Sequence, residues 1–432
     1  MFPGQASMEE TAINEAARKK QPRQQLSKGM EHMRYAVTVP DEHANSGLSA
    51  PVTTTSSPAT PIDSSDPSTP QPAEESAYGV PTFYQPVRKP ATDSASNPQK
   101  RTDPFQFGSR YLEEGDDIFA YNAWDHVEVD DAYKDFIFTQ TELQRANPVS
   151  DHDKKRFNDK PEKWWDKFYS NNQANFFKDR KWLGQEFPLL VEATKEDYGP
   201  VTILEVGAGA GNTAFPILAM NKNEKLKLVA CDYSKQAVEV MRRSDLYDQR
   251  FMAAEVWDLA GEGDAAVPPG LAPTSVDIVI MVFVFSALEP RQWAQALRNV
   301  WDLLKPGGQV LFRDYGRGDL AQVRFKKSRY LDENFYVRGD GTRVYFFEEE
   351  ELRRIWSGSG ALSDEVNAVS EELGDTTLSD PASNSHLRDT ERTSFQITNL
   401  GVDRRMLVNR QRRLKMYRCW MQGLFRKSVA DG

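Results

Sequence analysis

The feature that most constrains this chain is a glycine-rich turn between a short apolar strand and a helix. The β-branched run VTILEV (201–206) predicts a strand, GAGAG (207–211) follows it, and TAFPILAM (213–220) is typical of a helix. Glycines at such a turn let a ligand approach the backbone, and the free N–H groups of the helix can bind it. The same glycines also fit a plain tight turn in any α/β protein.

The sequence after this turn keeps alternating between strand and helix. LKLVAC (226–231) and QVLFRDY (309–315) predict strands, and the almost uniformly apolar run 276–288 predicts a central strand covered on both faces. Ser234 is a good N-cap for the helix SKQAVEVMRRS, and Pro290 opens another helix. This alternation predicts a parallel sheet with helices on both faces.

The spacing of the glycines narrows the class of ligand. A dinucleotide site needs a third glycine at position 212, which is Asn, whereas this chain has Gly-x-Gly-x-Gly after Glu205. Asp232 ends the next strand, where a carboxylate can accept hydrogen bonds from two ribose hydroxyls. Asp258 follows the strand-like run FMAAEVW, where it can meet an adenine amino group. Together these residues resemble the S-adenosylmethionine site of class I methyltransferases, which implies a Rossmann-like, mostly parallel seven-stranded sheet.

Further blocks lie outside that site: WWDKFY (164–169), NFFKDRKW (175–182), FRDYG (312–316), ENFYVRGDGTR (333–343), and LVNR with LKMYRCW within 407–420. They resemble the eukaryotic tRNA 3-methylcytidine methyltransferases, which methylate cytidine 32 of the anticodon loop. FG (107–108) and NAWD (122–125) are similar to the branch that acts on threonine tRNA rather than to the shorter serine-tRNA branch, with serine or arginine tRNA as further candidate substrates.

The resemblance implies S-adenosylmethionine as cofactor and tRNA as partner, with an aminoacyl-tRNA synthetase or accessory subunit as a further partner to test. The expected cofactor residues are Trp165, Tyr169, Glu205, Gly207, Gly209, Gly211, Asp232, Asp258, Leu259 and Val282.

Methylation of cytosine at N3 mainly requires that N3, the methyl carbon and the sulfur be aligned. N3 carries an in-plane lone pair and can attack a sulfonium methyl group directly, so no activated serine or cysteine is required. Asp314, at the end of a predicted strand, is a candidate to stabilise the developing positive charge. Its alternative role is structural, pairing with Arg313 or capping a turn. VFSAL (284–288) replaces the Asp/Asn-Pro-Pro-aromatic motif of many amino-directed methyltransferases, which disfavours exocyclic nitrogen as the target.

RNA recognition requires local positive charge, because the chain has 54 Lys and Arg against 64 Asp and Glu, a net charge of −10. Residues 402–427 carry nine Lys or Arg against one Asp, interleaved with aromatic residues. A solvated face is the plainer explanation of such a charge run. The candidate substrate-binding residues are Lys178, Arg180, Arg313, Arg338, Arg343, Arg404, Arg405, Arg410, Lys415 and Arg418.

Composition sets the expected boundaries. Thirteen of the 25 prolines and none of the nine tryptophans lie in residues 1–100, which predicts a disordered tail. We expect a family-specific extension at 101–160 and a methyltransferase domain at 161–432, with a polar surface insertion at 363–391. Two cysteines and no apolar run of 18 residues predict a cytoplasmic protein without disulfides, a metal site or a membrane span.

Two other functions remain open from the sequence. One is a class I methyltransferase acting on a protein or a small molecule, which would not need basic, aromatic-rich C-terminal strands. The other is a non-catalytic RNA-binding scaffold, against which the intact pattern of Glu205, the glycines, Asp232 and Asp258 argues.

Overall fold

A computed structural model describes residues 110–112, 114–180, 182–358 and 393–429. The predicted tail at 1–100 and the predicted insertion at 363–391 lie outside the described residues. The strands of the described part are β1 (Ala123–Asp125), β2 (Val201–Val206), β3 (Leu226–Asp232), β4 (Met252–Val256), β5 (Val276–Val282), β6 (Leu304–Tyr315), β7 (Tyr330–Asp332), β8 (Phe335–Val337), β9 (Arg343–Tyr345), β10 (Gln396–Asn409) and β11 (Leu414–Arg426).

The α-helices of the described part alternate with these strands. They are α1 (Asp131–Arg145), α2 (Asp151–Asp159), α3 (Pro161–Asn172), α4 (Leu183–Glu186), α5 (Pro188–Ala193), α6 (Ala214–Met220), α7 (Lys235–Arg242), α8 (Trp293–Leu303), α9 (Leu320–Val323) and α10 (Glu349–Ser357). Among the described helices, none is long and apolar enough to cross a bilayer.

Eight strands form one mixed sheet in the order β1-β10-β11-β6-β5-β2-β3-β4. The pairs from β6 to β4 are parallel, and those from β1 to β6 are antiparallel. The Rossmann-like, mostly parallel fold is therefore confirmed, with four parallel pairs against three antiparallel ones. The expected seven strands become eight, because Ala123–Asp125 adds an edge strand by pairing with β10.

Side chains of the central strands alternate between two apolar layers. In β2, Ile203 and Leu204 belong to different core clusters, and in β5 so do Ile280 and Met281. Helices α8 and α10 cover one face of the sheet, while α5, α6 and α7 cover the other. A strand buried on both faces explains the uniformly apolar sequence of β5.

Two predicted boundaries move in the structure. The strand expected over 276–288 ends at Val282, because Phe283 adopts a left-handed backbone with φ of 58° and a 3-10 turn, Phe285–Ala287, follows. The strand expected to begin at 309 begins at Leu304, with an irregular register where Val276 pairs with Leu304 and Ile278 with Gln309.

Candidate active site

The candidate donor site, called the crevice below, lies where the order of the parallel strands reverses. Strand β2 pairs with β3 on one side and with β5 on the other, and the chain crosses between these sides after β4. Loops at the carboxyl ends of the strands splay apart at such a reversal, and ligands of α/β sheets bind there. The glycine turn lies at this point, directly after β2.

The glycine turn has no room for side chains at Gly207 and Gly209. Gly207 and Gly209 have φ of 66° and 60°, a region that side chains rarely adopt. A Cβ on Gly207 would come within 2.5 Å of the Val284 side chain, and a Cβ on Gly209 would overlap the Tyr169 hydroxyl. The turn is thus a cradle over which Tyr169 closes.

Asp232, the last residue of β3, faces this cradle. Its Oδ2 accepts a hydrogen bond from the Gly209 amide at 2.8 Å, and its Oδ1 accepts one from the Ser234 amide at 2.8 Å. Burial raises the pKa of Asp232 to about 6, against the opposing effect of these hydrogen bonds. An ionised carboxylate has about four acceptor sites, so Asp232 keeps capacity for the hydroxyls of a bound ribose.

Glu205 lies on β2 beneath the same turn. Arg180 Nη1 lies 3.8 Å from its Oε1, and the Thr213 hydroxyl and the Ala214 amide lie close enough to favour its ionised form. Burial raises the pKa of Glu205 to about 7, and the charge of Arg180 limits that rise. Arg180 itself donates a hydrogen bond to the Thr213 hydroxyl at 2.8 Å.

Helix α3 forms the wall opposite the turn. Trp165 stacks on Tyr169 with ring centroids 6.3 Å apart. Asp166 holds the helix in place, since its Oδ1 accepts hydrogen bonds from the Ser234 hydroxyl at 2.7 Å and from the Gln236 amide at 3.2 Å. Burial raises the pKa of Tyr169 well above its usual value, so its ring presents a neutral hydroxyl.

Asp258, Leu259 and Val282 complete the predicted set along the neighbouring strand ends. Asp258 is half-buried, accepts a hydrogen bond from the Ala260 amide at 2.9 Å, and has its pKa raised by burial. Leu259 and Val282 are buried and offer only apolar surface. Their distance to a ligand stays a prediction.

These features fit S-adenosylmethionine. A sulfonium nucleoside needs bare backbone beside its amino-acid part, a carboxylate for its ribose and an aromatic cover. The Gly209 cradle closed by Tyr169 supplies the first and third, and Asp232 supplies the second. The buried carboxylate of Glu205 is a further polar group beneath the same turn.

An aromatic cluster that the sequence analysis missed borders the crevice at the ends of β5 and β6. Phe283 and Tyr315 have ring centroids 4.8 Å apart, Arg180 lies over Phe283, and Arg338 lies over Tyr315. Both rings are partly exposed. Tyr315, which ends the predicted strand 309–315, is the signal that could have indicated this cluster, whereas Phe283 lay inside the strand predicted over 276–288.

Asp314 lies behind these rings and is fully buried. Its Oδ2 accepts a hydrogen bond from the Ser286 amide at 2.9 Å, and its Oδ1 accepts one from its neighbour, the Tyr315 amide, at 2.9 Å. Burial raises the pKa of Asp314 to about 6, while the bonds to Ser286 oppose the rise. This geometry is that of the turn-capping alternative.

The predicted substrate-binding cations fall into two groups. Arg313 and Arg343 are buried: Arg313 bonds Asp403 and Gln422 and is held between Trp182 and Trp420, while Arg343 donates to Asn158. Their charges are used inside the protein, so neither guanidinium is presented on an outer surface. This burial is the correction to the expectation that they form part of an RNA-binding surface.

The remaining predicted cations differ in exposure. Arg405 pairs with Asp125, Glu186 and Asp403, and Arg418 pairs with Asp319, so both are mostly enclosed. Arg180, Arg338 and Lys415 are partly exposed, whereas Lys178, Arg404 and Arg410 are exposed. Among the described residues, no group of three His, Cys, Asp or Glu side chains is arranged to hold a metal ion.

Comparison with known proteins places the crevice in a matched region. Residues 204–310 match the family model described as "Methyltransferase domain". A solved SAM-dependent methyltransferase from Methanosarcina mazei is similar with a TM-score of 0.35 and 14% identity, covering 56% of this chain and 98% of that one.

Two curated relatives are much more similar in sequence. The tRNA(Thr) (cytosine(32)-N(3))-methyltransferase of Saccharomyces cerevisiae is 48% identical over 322 residues, which are 74% of this chain and 46% of that protein. The tRNA N(3)-methylcytidine methyltransferase of Schizosaccharomyces pombe is 44% identical over 321 residues, which are 74% of this chain and 92% of that protein. The chain thus spans under half of the first relative and nearly all of the second.

Proposed function

This chain belongs to the tRNA N(3)-methylcytidine methyltransferases, and we propose from this premise that it transfers a methyl group from S-adenosylmethionine to N3 of cytidine 32 in threonine tRNA. The observation that carries the proposal is the Asp232 carboxylate hydrogen-bonded to the Gly209 amide in a bare glycine cradle. That arrangement supports a binding site for the methyl donor where the strand order reverses. The acceptor, N3 of cytidine, is taken from the reactions for which the relatives are named.

The residues that would hold the donor follow from the crevice. Asp232, beside the Gly209 amide, would accept hydrogen bonds from the ribose hydroxyls, Tyr169 and Trp165 would cover the bound molecule, and Asp258 would accept from the adenine amino group. When bound, S-adenosylmethionine supplies an electrophilic methyl group on a sulfonium sulfur. The role left to the protein is to hold the acceptor nitrogen in line with that methyl group, which is catalysis by proximity.

The acceptor base needs no catalytic base, because N3 of cytosine carries a lone pair that is largely unprotonated at neutral pH. A loop base must first be unstacked, and aromatic side chains stabilise it in that state. We assign this stacking role to Phe283 and Tyr315, whose rings border the crevice. Asp314 positions them, since its carboxylate holds the Tyr315 amide and the turn that follows Phe283. When ionised, it also offsets through space the positive charge that N3 gains.

The exposed cations Lys178, Arg404 and Arg410 are assigned to the RNA backbone. The same proposal includes a cytoplasmic site of action and an aminoacyl-tRNA synthetase or accessory subunit as a candidate partner. A pull-down with the full chain, with and without tRNA, checks the partner. Imaging of the tagged protein checks the compartment.

The test of function is product analysis. The full chain is incubated with labelled S-adenosylmethionine and unmodified threonine tRNA, and the RNA is digested to nucleosides. We expect label in 3-methylcytidine, and none when cytidine 32 is replaced by uridine. Label in another nucleoside, or transfer that persists without cytidine 32, would contradict the proposal. Label only in protein would favour the alternative class of methyltransferase.

A further inference from the structure

A second concave surface lies on a different face of helix α3 from the crevice. Its volume is about 630 Å³, and its walls come from α2, α3, Arg329 and the turn between β8 and β9. On α3, Trp164, Lys167 and Asn171 line this cleft, whereas Trp165 and Tyr169 stack beside the glycine turn. One helix therefore separates two binding surfaces.

The cleft concentrates positive charge in a chain that is acidic overall. Arg156, Lys167 and Arg329 line it, against the single carboxylate of Asp340. Within the described part of the chain, neither Lys167 nor Arg329 forms an ion pair, and Arg156 has only a 3.5 Å contact with Asp153. Unpaired cations around a concavity focus the electrostatic potential and attract anions.

Asp340 offsets only one of the three positive charges that line the cleft. Its Oδ1 accepts hydrogen bonds from the Thr342 amide at 2.9 Å and the Thr342 hydroxyl at 2.7 Å, which fix the turn between β8 and β9. The amides of Asn171 and Asn172 add further neutral donors to the rim. The lining is thus rich in donors, as contacts to phosphate and sugar oxygens require.

The floor of the cleft is rigid. Trp164 packs on Phe157 with ring centroids 5.1 Å apart, and its ring lies so close to Gly341 that a Cβ there would overlap it. The Arg156 guanidinium lies 5.5 Å and the Lys167 ammonium 5.8 Å from the centroid of the Trp164 ring. These cation–π contacts hold the two charges near one ring before any ligand arrives.

We propose that this cleft binds the ribose–phosphate backbone of the tRNA substrate, away from the cytidine that is methylated. The inference rests on the proposed function, because RNA is the polyanion that this enzyme must hold. Three cations line this open concavity: Lys167, Arg329, which donates to the Arg338 carbonyl at 3.2 Å, and Arg156, which contacts Asp153 at 3.5 Å. Such a cluster fits a chain of phosphates. The donor molecule is cationic at sulfur and has its own carboxylate-lined crevice, so it is a poor match for this charge.

The test is a triple neutralisation, Arg156→Gln, Lys167→Gln and Arg329→Gln, in the full chain. Each lost phosphate contact lowers the slope of log affinity against log salt by about 0.7–0.9. We expect the triple variant to bind threonine tRNA roughly 10- to 100-fold more weakly at moderate salt, with a slope smaller by about 2. The affinity for S-adenosylhomocysteine should stay within about twofold, because the donor crevice is untouched.

The matched control is Lys222→Gln, Lys225→Gln and Lys227→Gln. These exposed lysines lie at the amino end of β3, the sheet edge away from the crevice, and removing them changes net charge by the same amount. The single variant Lys167→Gln serves as a check on folding, since its exposed ammonium forms no ion pair in the described part of the chain.

The outcomes separate this inference from the proposed function. Equal tRNA affinity in the triple variant and the lysine control, with the wild-type chain still producing 3-methylcytidine, would overturn the cleft alone. A wild-type chain that neither binds tRNA nor forms 3-methylcytidine would overturn the proposed function instead. Loss of tRNA affinity only in the cleft variant, with a smaller salt slope, supports the assignment.

Discussion

The pKa of Glu205 is set by the buried environment of the crevice. The carboxylate is buried, Arg180 Nη1 lies 3.8 Å from its Oε1, and the Thr213 hydroxyl and the Ala214 amide lie close to it. Burial disfavours the ionised form more than this distant cation restores it, so the pKa rises to about 7. Near neutral pH the crevice therefore contains a carboxyl group close to its titration point.

We predict that Glu205→Gln flattens the pH dependence of stability in the donor-free protein. The folded group has a pKa of about 7, against 4.5 ordinarily. Its favourable contribution is complete below pH 4.5 and disappears as the pH rises through 7. At about 1.4 kcal/mol per pKa unit, the loss reaches about 3 kcal/mol.

Urea unfolding from pH 4.5 to 8 checks this. The free energy of unfolding of Glu205→Gln, minus that of the wild-type chain, should increase as the pH rises. The control Glu192→Gln removes an exposed carboxylate paired with Lys195 and should leave the pH dependence unchanged. Parallel curves for Glu205→Gln and wild type would show that Glu205 ionises normally.

At the scale of elements, helix α3 is coupled to the donor site through a chain of hydrogen bonds. Asp166 accepts from the Ser234 hydroxyl, that hydroxyl oxygen caps α7 by accepting from the Ala237 amide, and the Ser234 amide bonds Asp232. Helix α3, which covers the crevice, and Asp232, the proposed ribose carboxylate, are therefore both hydrogen-bonded to Ser234.

We predict that Asp166→Ala lowers the affinity for S-adenosylhomocysteine by about 5- to 10-fold, roughly 1 kcal/mol, because α3 loses its attachment to α7. Ser234→Ala should have an effect of similar size. The double variant should lose less than the sum, with a coupling of about 0.5–1 kcal/mol, since both replacements break the same bond.

Titration calorimetry of the four proteins in this cycle measures the coupling. Ser170→Ala, at an exposed position of α3, is the control and should bind like wild type. Strict additivity of the two single variants would mean that the Asp166–Ser234 bond does not position the helix.

Local patterns predicted the elements whose causes are local. The N-cap at Ser234 and the strand that begins at Val276 follow from neighbouring residues, and the structure confirms both. The sequence did not indicate that Arg313 pairs with Asp403, 90 positions away, or that Ala123–Asp125 would join the sheet through β10. The sequence also did not indicate that the strand ends before Phe283. An apolar run looks the same whether one of its residues is extended or left-handed.

Across the whole molecule, a chain with a net charge of −10 has to offer local positive surfaces to a polyanion. The structure removes Arg313 and Arg343 from the predicted surface by burying them and encloses Arg405 among three carboxylates. Arg404 and Arg410 on β10 and the turn after it remain exposed.

We predict that reversing two charges, Arg404→Glu and Arg410→Glu, weakens tRNA binding by about 10-fold or more at low salt and by less at high salt, because exposed charges are screened. Donor affinity should not change. Binding titrations across a salt series measure both effects.

The control pair is Arg243→Glu and Arg250→Glu, which reverses the charge of two exposed arginines at the ends of the sheet away from the crevice. If both pairs weaken tRNA binding equally, net charge alone controls affinity and β10 has no specific role in it.

The proposed function depends most on hydrogen bonds from the ribose hydroxyls of the methyl donor to the Asp232 carboxylate, beside the glycine turn. The most direct measurement is calorimetric titration of the full chain and of Asp232→Ala with S-adenosylhomocysteine, with tRNA affinity measured in parallel. Losing charged hydrogen bonds of about 1.5–3 kcal/mol, the variant should bind the nucleoside roughly 10- to 100-fold more weakly, while its tRNA affinity is unchanged. Undiminished nucleoside affinity in Asp232→Ala would contradict the account.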